Sequence, residues 1–290
     1  MVNISESVKE IQQKFNIIGR TEELKKIVLA RLVGKNILIE GEVGTGKTTI
    51  AKAVAAYFDS EFYRVDCSEE ILPHNLIGYF DPPLVISKGY NENSYIYGPL
   101  PLAMLKGGCL FINEINRMPE STQNSLLTAL DEKILDISKL KRIEAKDGFF
   151  VVATQNPVAH VGVTVLGEAL KDRFVWIKLD YQKPEEEVQI IKKEVKLDGE
   201  SGDLIANISQ KITQQTRENT YIRRGSSIRG AIDLASLISN SGGNKSTKNW
   251  VDAAIMALYN KIEIEDGVTR SKSEIISDIV LAVLNESDFR

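Results

Sequence analysis

The sequence predicts an α/β fold in which a parallel five-stranded sheet has helices on both faces and is followed by a small all-helical domain. Five apolar segments have the length and composition of buried strands, and helical patterns separate most of them. This alternation is typical of a parallel sheet, because each parallel neighbour requires a crossover connection. After Asp180 the strand signals stop, and the apolar residues recur only at helical spacing.

The strands and two insertions can be placed along the chain. The predicted strands cover residues 36–40, 62–67, 109–113, 149–154 and 174–179. Residues 76–97, rich in Gly, Pro, Tyr and Asn, interrupt an expected helix, and residues 134–145 have the pattern of a hairpin. Both are interpreted as insertions that either decorate the surface or reach a partner, since loops on a rigid scaffold often carry function.

The second region has clear helix start signals. Pro184 followed by three glutamates marks a helix start, with proline in the first turn and acids at the positive end of the helix dipole. Ser271 and Glu274 form a predicted capping box before the last helix. We therefore expect an α/β nucleotide-binding domain over residues 1–182 and a helical domain over residues 183–290.

A phosphate-binding loop is the clearest functional signal. Residues 41–48 read Gly-Glu-Val-Gly-Thr-Gly-Lys-Thr, between a predicted strand and a predicted helix. Glycines let backbone N–H groups surround phosphates, the lysine adds a positive charge at the β/γ-phosphates, and the hydroxyl of Thr48 can bind Mg²⁺. The pattern predicts binding of ATP and Mg²⁺ by Gly41, Glu42, Val43, Gly44, Thr45, Gly46, Lys47, Thr48 and Thr49.

Polar residues that follow strands are candidates for hydrolysis. Glu114 is the predicted base that polarises the attacking water, and Asn156 is expected near the γ-phosphate, because ligands of parallel sheets bind beyond the carboxyl ends of the strands. Asn113 stands where a nucleotidase keeps an aspartate for the Mg²⁺ shell, so metal binding is expected to be weaker. Arg173, before the fifth strand, and Arg229, at a helix start, are further candidates.

The asparagine at position 113 leads to a specific expectation. Asn113→Asp would restore a negative charge beside the metal, lower the Mg²⁺ concentration needed for activity and raise turnover. The alternative is that the added aspartate competes with Glu114 for the metal and slows the reaction.

Composition limits the function classes. The chain has 290 residues and a net charge of −4, which argues against non-specific nucleic-acid binding, although the basic residues 139–142 leave a local patch open. No apolar run approaches the roughly 18 residues of a membrane span, and no signal peptide is recognisable, so membrane insertion is not expected and a cytoplasmic location is. Cys67 and Cys109 are expected to be buried free thiols.

Taken together, these segments resemble the AAA+ ATPases, and within them the MoxR group, whose relatives include the magnesium-chelatase ATPase subunit and the minichromosome-maintenance helicases. The resemblance extends in family order over nearly the whole chain, through residues 18–20, 41–48, 98–100, 111–117, 153–157, 168–174, 181–187 and the helix of Arg229.

The resemblance implies a ring, usually a homo-hexamer, with ATP between subunits and a helical lid domain. By resemblance Asn156 is the first sensor, Arg173 the arginine finger supplied to a neighbour, and Arg229 the second sensor. The insertions match the family's helix-2 and pre-sensor hairpins. The implied function is ATP-driven remodelling of a client protein, often one with a von Willebrand factor A domain. A nucleic-acid motor and, because of Asn113, a non-hydrolysing switch remain alternatives.

Overall fold

The computed structural model describes residues 3–157, 166–241 and 246–286. The chain forms two compact units, one comprising residues 1–42 and 46–180 and the other residues 43–45 and 181–290. In the described residues the strands are β1 (Asn36–Gly41), β2 (Phe62–Asp66), β3 (Gly78–Phe80), β4 (Tyr95–Tyr97), β5 (Cys109–Asn113), β6 (Ile134–Ile137), β7 (Lys141–Glu144), β8 (Phe150–Gln155), β9 (Phe174–Leu179), β10 (Ile222–Arg224) and β11 (Glu263–Ile264).

The α-helices in the same residues are α1 (Ile4–Lys14), α2 (Thr21–Leu32), α3 (Lys47–Tyr57), α4 (Pro73–Ile77), α5 (Pro82–Lys88), α6 (Pro99–Lys106), α7 (Glu120–Asn124), α8 (Leu127–Asp131), α9 (Glu168–Lys171), α10 (Pro184–Val195), α11 (Gly199–Glu218), α12 (Ile228–Ser241), α13 (Thr247–Leu258) and α14 (Lys272–Glu286). None of these helices combines the length and the apolar character needed to cross a membrane.

A parallel five-stranded sheet forms the centre of the first unit, in the order β2-β5-β8-β1-β9. This confirms the predicted fold class. Side chains alternate between the two faces along each strand. On one face Leu38, Leu110 and Val151 pack in a core with α6, and on the other Ile37 and Phe111 pack in a core with α2 and α3. The sheet is therefore covered on both sides.

Both predicted insertions are present in the first unit. Residues 134–144 form the β6–β7 antiparallel hairpin, as the sequence predicts. Between α4 and α6, β3 and β4 pair antiparallel and enclose α5. Gly78 has φ +109°, and a Cβ there would collide with the backbone of β4, so this crossing requires glycine. The first insertion is thus a folded β-α-β element built around aromatic contacts of Phe80 with Tyr90 and Tyr95.

The second unit is mainly helical, with α10 to α14 around a core that includes the fully buried Trp250. Pro184 begins α10, and the capping box at α14 forms: Ser271 N–H donates to Glu274 Oε2 at 2.8 Å, and Glu274 N–H donates to Ser271 Oγ at 3.2 Å. The prediction of an all-helical domain is wrong in one respect, because β10 and β11 pair antiparallel. Strands this short give no alternation that sequence patterning can detect.

A buried ion pair lies in the first part of the second unit. Glu187 of α10 is 2% exposed and pairs with Arg217 of α11, with Nη1 2.9 Å from Oε1. The Arg217 guanidinium also stacks 3.9 Å from the ring centroid of Tyr181. A buried charge pair of this kind is costly to break by removing one partner, so it fixes how α10 and α11 pack.

Candidate nucleotide-binding and catalytic site

The phosphate loop connects β1 to α3 at the carboxyl edge of the sheet. Gly44 and Gly46 have φ of +83° and +90°, a region in which other residues are strained. Lys47 begins α3 and is 8% exposed, and its Nζ donates to the backbone carbonyls of Gly41 at 2.6 Å and Glu42 at 2.9 Å. The N–H groups of the first turn of α3 and a buried ammonium group therefore lie together, as an anion site requires.

Asn156 connects this lysine to the predicted base. Lys47 Nζ donates to Asn156 Oδ1 at 3.0 Å, and Asn156 Nδ2 donates to Glu114 Oε1 at 3.2 Å. The other oxygen, Glu114 Oε2, lies 2.9 Å from Arg117 Nε in an ion pair. Asn156 is 4% exposed, so its amide has little freedom to turn away. The structure thus brings Lys47, Asn156 and Glu114 into one hydrogen-bonded chain.

The backbone also directs Glu114. This residue has φ 55° and ψ 50°, the left-handed conformation that is uncommon outside glycine and that often occurs at functional sites. Its N–H donates to Thr154 Oγ1 at 3.0 Å, and Asn116 Nδ2 donates to the backbone carbonyl of Asn156 at 2.9 Å. These bonds between the ends of β5 and β8 hold the glutamate and the asparagine at one edge of the sheet.

Asn113 has partners that the sequence does not reveal. Its Oδ1 accepts from Thr154 Oγ1 at 3.0 Å, and its Nδ2 donates to Asp66 Oδ1 at 2.9 Å. Arg64 also binds Asp66, with Nε 2.8 Å from Oδ2 and Nη2 2.6 Å from Oδ1. The hydrogen bonds from Arg64 lower the pKa of Asp66 against the opposing effect of partial burial, and the bond from Asn113 lowers it further. A negatively charged carboxylate therefore lies beside Asn113.

Sequence reasoning missed Asp66, although a signal for it existed. Asp66 is the last residue of β2 and pairs in register with Asn113, the last residue of β5. Polar residues at the carboxyl ends of parallel strands meet at the same edge. Asp66 ends a strand of the same sheet as Asn113 does, so the strand order places both side chains at the same end of the sheet.

The donor set at this edge is suited to Mg²⁺ held together with phosphates. Thr48 lies partly buried in the first turn of α3, and Asn113 ends β5. Mg²⁺ keeps several waters and binds through few protein oxygens plus substrate phosphates. Within the described residues no three His, Cys, Asp or Glu side chains form a cluster that could hold a metal by themselves. The Thr48 hydroxyl and the Asn113 carbonyl fit a magnesium–nucleotide complex better than an all-protein metal cage.

Arg173 lies at the amino-terminal end of the strands, opposite the end that carries the phosphate loop. It directly precedes β9, whose first residue, Phe174, pairs with Asn36 at the start of β1, whereas the phosphate loop follows Gly41 at the other end. Five residues of strand separate the two levels by about 16 Å. Arg173 Nη2 lies 3.0 Å from Asp131 Oδ2, and its Nη1 donates to the carbonyl of Ala169. The structure therefore does not bring Arg173 to its own phosphate loop.

The last predicted site residues are Arg229, Glu42, Val43, Thr45 and Thr49. Arg229 lies in the second unit, exposed in the first turn of α12. Glu42, Val43 and Thr45 lie in the phosphate loop itself, with Thr45 buried and Val43 exposed, and Thr49 is exposed in the first turn of α3.

Comparison with known proteins identifies the class. Residues 36–176 match the family model described as "ATPase family associated with various cellular activities (AAA)". A protein of Bacillus subtilis (strain 168), uncharacterised YojN, is 32% identical over 213 residues, which cover 72% of this chain and 69% of YojN. Residues 36–176 therefore form a domain of the AAA family of ATPases, and the nucleotide-binding loop lies within it. An uncharacterised protein of Staphylococcus aureus (strain USA300) is 29% identical over 241 residues, 80% of this chain and 91% of its own length.

Solved structures share the fold. A candidate ATPase from Cytophaga hutchinsonii is 23% identical, with a TM-score of 0.52 over 96% of this chain and 94% of its own. A RuvB variant from Thermotoga maritima is 20% identical, with a TM-score of 0.53 over 94% of this chain and 72% of its own. At these identities the likeness extends to the fold alone.

Proposed function

We propose that this protein is a ring-forming AAA+ ATPase of the MoxR type, which couples ATP binding and hydrolysis to the remodelling or activation of a partner protein. The observation that carries the proposal is the hydrogen-bonded chain from Lys47 through Asn156 to Glu114. It connects a cation suited to the β/γ-phosphates with a carboxylate suited to polarise water. A site for binding alone would need only the first of these two groups.

Each residue has a role in this proposal. Lys47 and the loop amides bind the phosphates, and Thr48 and Asn113 would hold Mg²⁺, which when bound would neutralise phosphate charge. Glu114 accepts a proton from the attacking water. Asn156 holds Glu114 and senses the γ-phosphate, because its amide lies between the carboxylate and Lys47. Measurable Mg²⁺-dependent ATP hydrolysis by the purified protein, lost in Glu114→Gln, tests this assignment.

A shared site between subunits is supported by the place of Arg173. Because the backbone at Arg173 lies about 16 Å along the strand direction from the level of its own phosphate loop, we expect a phosphate that Arg173 contacts to belong to another subunit. An arginine finger supplied in trans contributes about 10³-fold or more in rate. The proposal therefore includes a homo-hexameric ring in which Arg173 leaves its ion pair with Asp131 to contact the neighbour's ATP.

Mixing experiments test the shared site. Lys47→Ala and Arg173→Ala subunits, each inactive alone, should recover activity when mixed, because some interfaces then combine an intact loop with an intact finger. Asp172→Asn, a neighbouring charge change on the same segment, serves as the control and should behave like the parent. Absence of recovery in mixed rings of verified mass would contradict the shared site.

A protein partner is supported by the surface of the two insertions. Ile86 and Tyr90 of the first insertion are 88% and 56% exposed, and Ile86 is the most exposed large apolar side chain in the part of the chain that the structure describes. Lys141 of the hairpin pairs with Glu92 at 2.6 Å, and Lys139 lies 4.5 Å from the ring centroid of Tyr90. Two of the three basic residues in the 139–142 cluster, Lys139 and Lys141, are thus engaged with the first insertion, while the apolar side chain of Ile86 remains exposed.

Stimulation of the ATPase separates these partners. The rate should not change with single- or double-stranded DNA and should rise with a purified client, for which proteins with a von Willebrand factor A domain are the first choice by family resemblance. Ile86→Ser should reduce stimulation by the client while leaving the unstimulated rate unchanged. Stimulation by DNA that Ile86→Ser does not affect would favour the nucleic-acid motor.

A non-hydrolysing switch is the second candidate function, and Asn113 is the observation that favours it. A carboxamide supplies no negative charge to the metal shell. Tight ATP binding without turnover under saturating Mg²⁺ and with a client present would support the switch, whereas turnover that Glu114→Gln abolishes would exclude it.

A further inference from the structure

Three polar side chains form a row at the carboxyl edge of the sheet. Asp66, Asn113 and Thr154 end or nearly end the neighbouring strands β2, β5 and β8, and hydrogen bonds of 2.9 and 3.0 Å connect them. Because Asp66 can only accept a hydrogen bond when ionised, it fixes the orientation of the Asn113 amide: Nδ2 points toward Asp66 and Oδ1 toward Thr154.

This row lies on the face of the sheet that α3 covers. Phe111 packs in the same core as Ile50 and Val54 of α3, and it pairs in register with Arg64. Since side chains alternate along a strand, the residues two positions further on, Asn113 and Asp66, lie on that same face. The first turn of α3 holds Thr48, the predicted magnesium ligand, so Asp66 carries its charge on the face of the sheet that this helix covers.

We propose that Asp66 supplies the negative charge of the Mg²⁺ shell that position 113 lacks. The carboxylate is thus on β2 instead of on the neighbouring strand β5. The hydrogen bond from Asn113 Nδ2 to Asp66 polarises the amide, so that the Asn113 oxygen becomes more negative. Asp66 is thus a positioning residue: it acts through Asn113, and its negative charge would stabilise bound Mg²⁺ and the waters of the metal shell. This inference rests on the proposed function, because the metal arrives with ATP.

The identity of residue 113 follows from Asp66. An aspartate at position 113 would place two carboxylates at hydrogen-bonding distance with no donor between them, because the Nδ2 group that now donates to Asp66 would be lost. Asn113 therefore complements Asp66, and the expectation from sequence that Asn113→Asp by itself restores a normal metal shell has to be revised. Restoration requires the exchange of both residues, in the double variant Asp66→Asn with Asn113→Asp.

Arg64 provides an independent sign. Its guanidinium binds both oxygens of Asp66, which is 58% exposed, and so competes with the metal for that charge. Removing Asp66 should weaken metal binding, whereas removing Arg64 should strengthen it. If the ion pair had only a structural role, both variants would weaken metal binding, because each of them breaks the same ion pair.

The test is binding of a fluorescent, non-hydrolysable ATP analogue as a function of Mg²⁺ concentration. Asp66→Asn should raise the Mg²⁺ concentration for half-maximal binding about tenfold, which is the usual size of an outer-shell effect. Arg64→Gln should lower it, and the double exchange should return it toward the parent value. In EDTA the variants should bind the analogue as the parent does, which shows that they are folded.

Asp59→Asn is the matched control. Asp59 is exposed and precedes the opposite end of β2, and its left-handed backbone conformation, with φ 50°, accepts asparagine as well as aspartate. It should leave the Mg²⁺ dependence unchanged. The inference would be overturned, with the proposed function left intact, if Asp66→Asn and Asp59→Asn had the same Mg²⁺ requirement. A requirement of Arg64→Gln above that of the parent would have the same consequence. A parent protein that binds no analogue at all would refute the proposed function and this inference together.

Discussion

Replacing Asn156 with alanine is expected to slow ATP hydrolysis about ten- to a hundredfold with little effect on nucleotide affinity. The amide makes two hydrogen bonds to charged groups, at 3.0 Å to Lys47 and at 3.2 Å to Glu114. A hydrogen bond to a charged group contributes about 1.5–3 kcal/mol. If the bond that orients Glu114 is lost from the transition state, the barrier rises by that amount, and each 1.36 kcal/mol corresponds to tenfold in rate.

Nucleotide affinity should change less, because Lys47 keeps its charge and its bonds to the carbonyls of Gly41 and Glu42. A fall in kcat with the dissociation constant of the ATP analogue within about threefold of the parent is the expected pattern. Steady-state hydrolysis and equilibrium binding measure the two quantities separately.

Gln210→Ala is the control for the loss of a buried amide. Gln210 is 3% exposed, lies in the second unit and hydrogen-bonds Glu187 and Gln214. It should lower thermal stability without the selective loss of kcat. If Asn156→Ala hydrolysed ATP within twofold of the parental rate, the chain from Lys47 to Glu114 would have no catalytic role.

Four further outcomes are expected. Lys47→Ala should abolish tight ATP binding, since the loop loses its cation at the β/γ-phosphates, and unchanged affinity for labelled ATP would refute the loop assignment. Glu114→Gln should bind ATP but hydrolyse it at least about 10²-fold more slowly, so that filter binding detects trapped ATP; a parental rate would require another base. Burial raises the pKa of Cys67 and Cys109 to about 12, so at pH 8 only about one thiol in 10⁴ is ionised. A thiol reagent should therefore react slowly until the protein unfolds. Its reaction rate with the folded protein should rise about tenfold per pH unit below that pKa. Gly78→Ala should destabilise the first insertion by about 1–3 kcal/mol because both its φ and its close approach to β4 require glycine, which hydrogen exchange of β3 and β4 would detect.

The sequence predicts most of the fold because its signals are local. A buried parallel strand requires a continuous apolar run, and each of the five strands in the central sheet coincides with such a run to within one residue. The phosphate loop is equally local, since glycine conformations and a helix start are encoded within eight residues. The hairpin of β6 and β7 follows from the same kind of short-range pattern, whereas β10 and β11 are too short to leave one.

The sequence by itself therefore determined the sheet, the loop and the candidate roles of Glu114 and Asn156, because strand ends and loop residues are adjacent along the chain. Only the tertiary structure decided which strand ends are neighbours. Strand order places Asp66 beside Asn113, although 46 residues lie between them. Register places Arg173 at the amino-terminal end of the strands, opposite the end that carries its own phosphate loop. These relations depend on the packing of the whole sheet. For that reason only the folded chain shows that the Asp66 carboxylate of β2 lies beside Asn113 of β5.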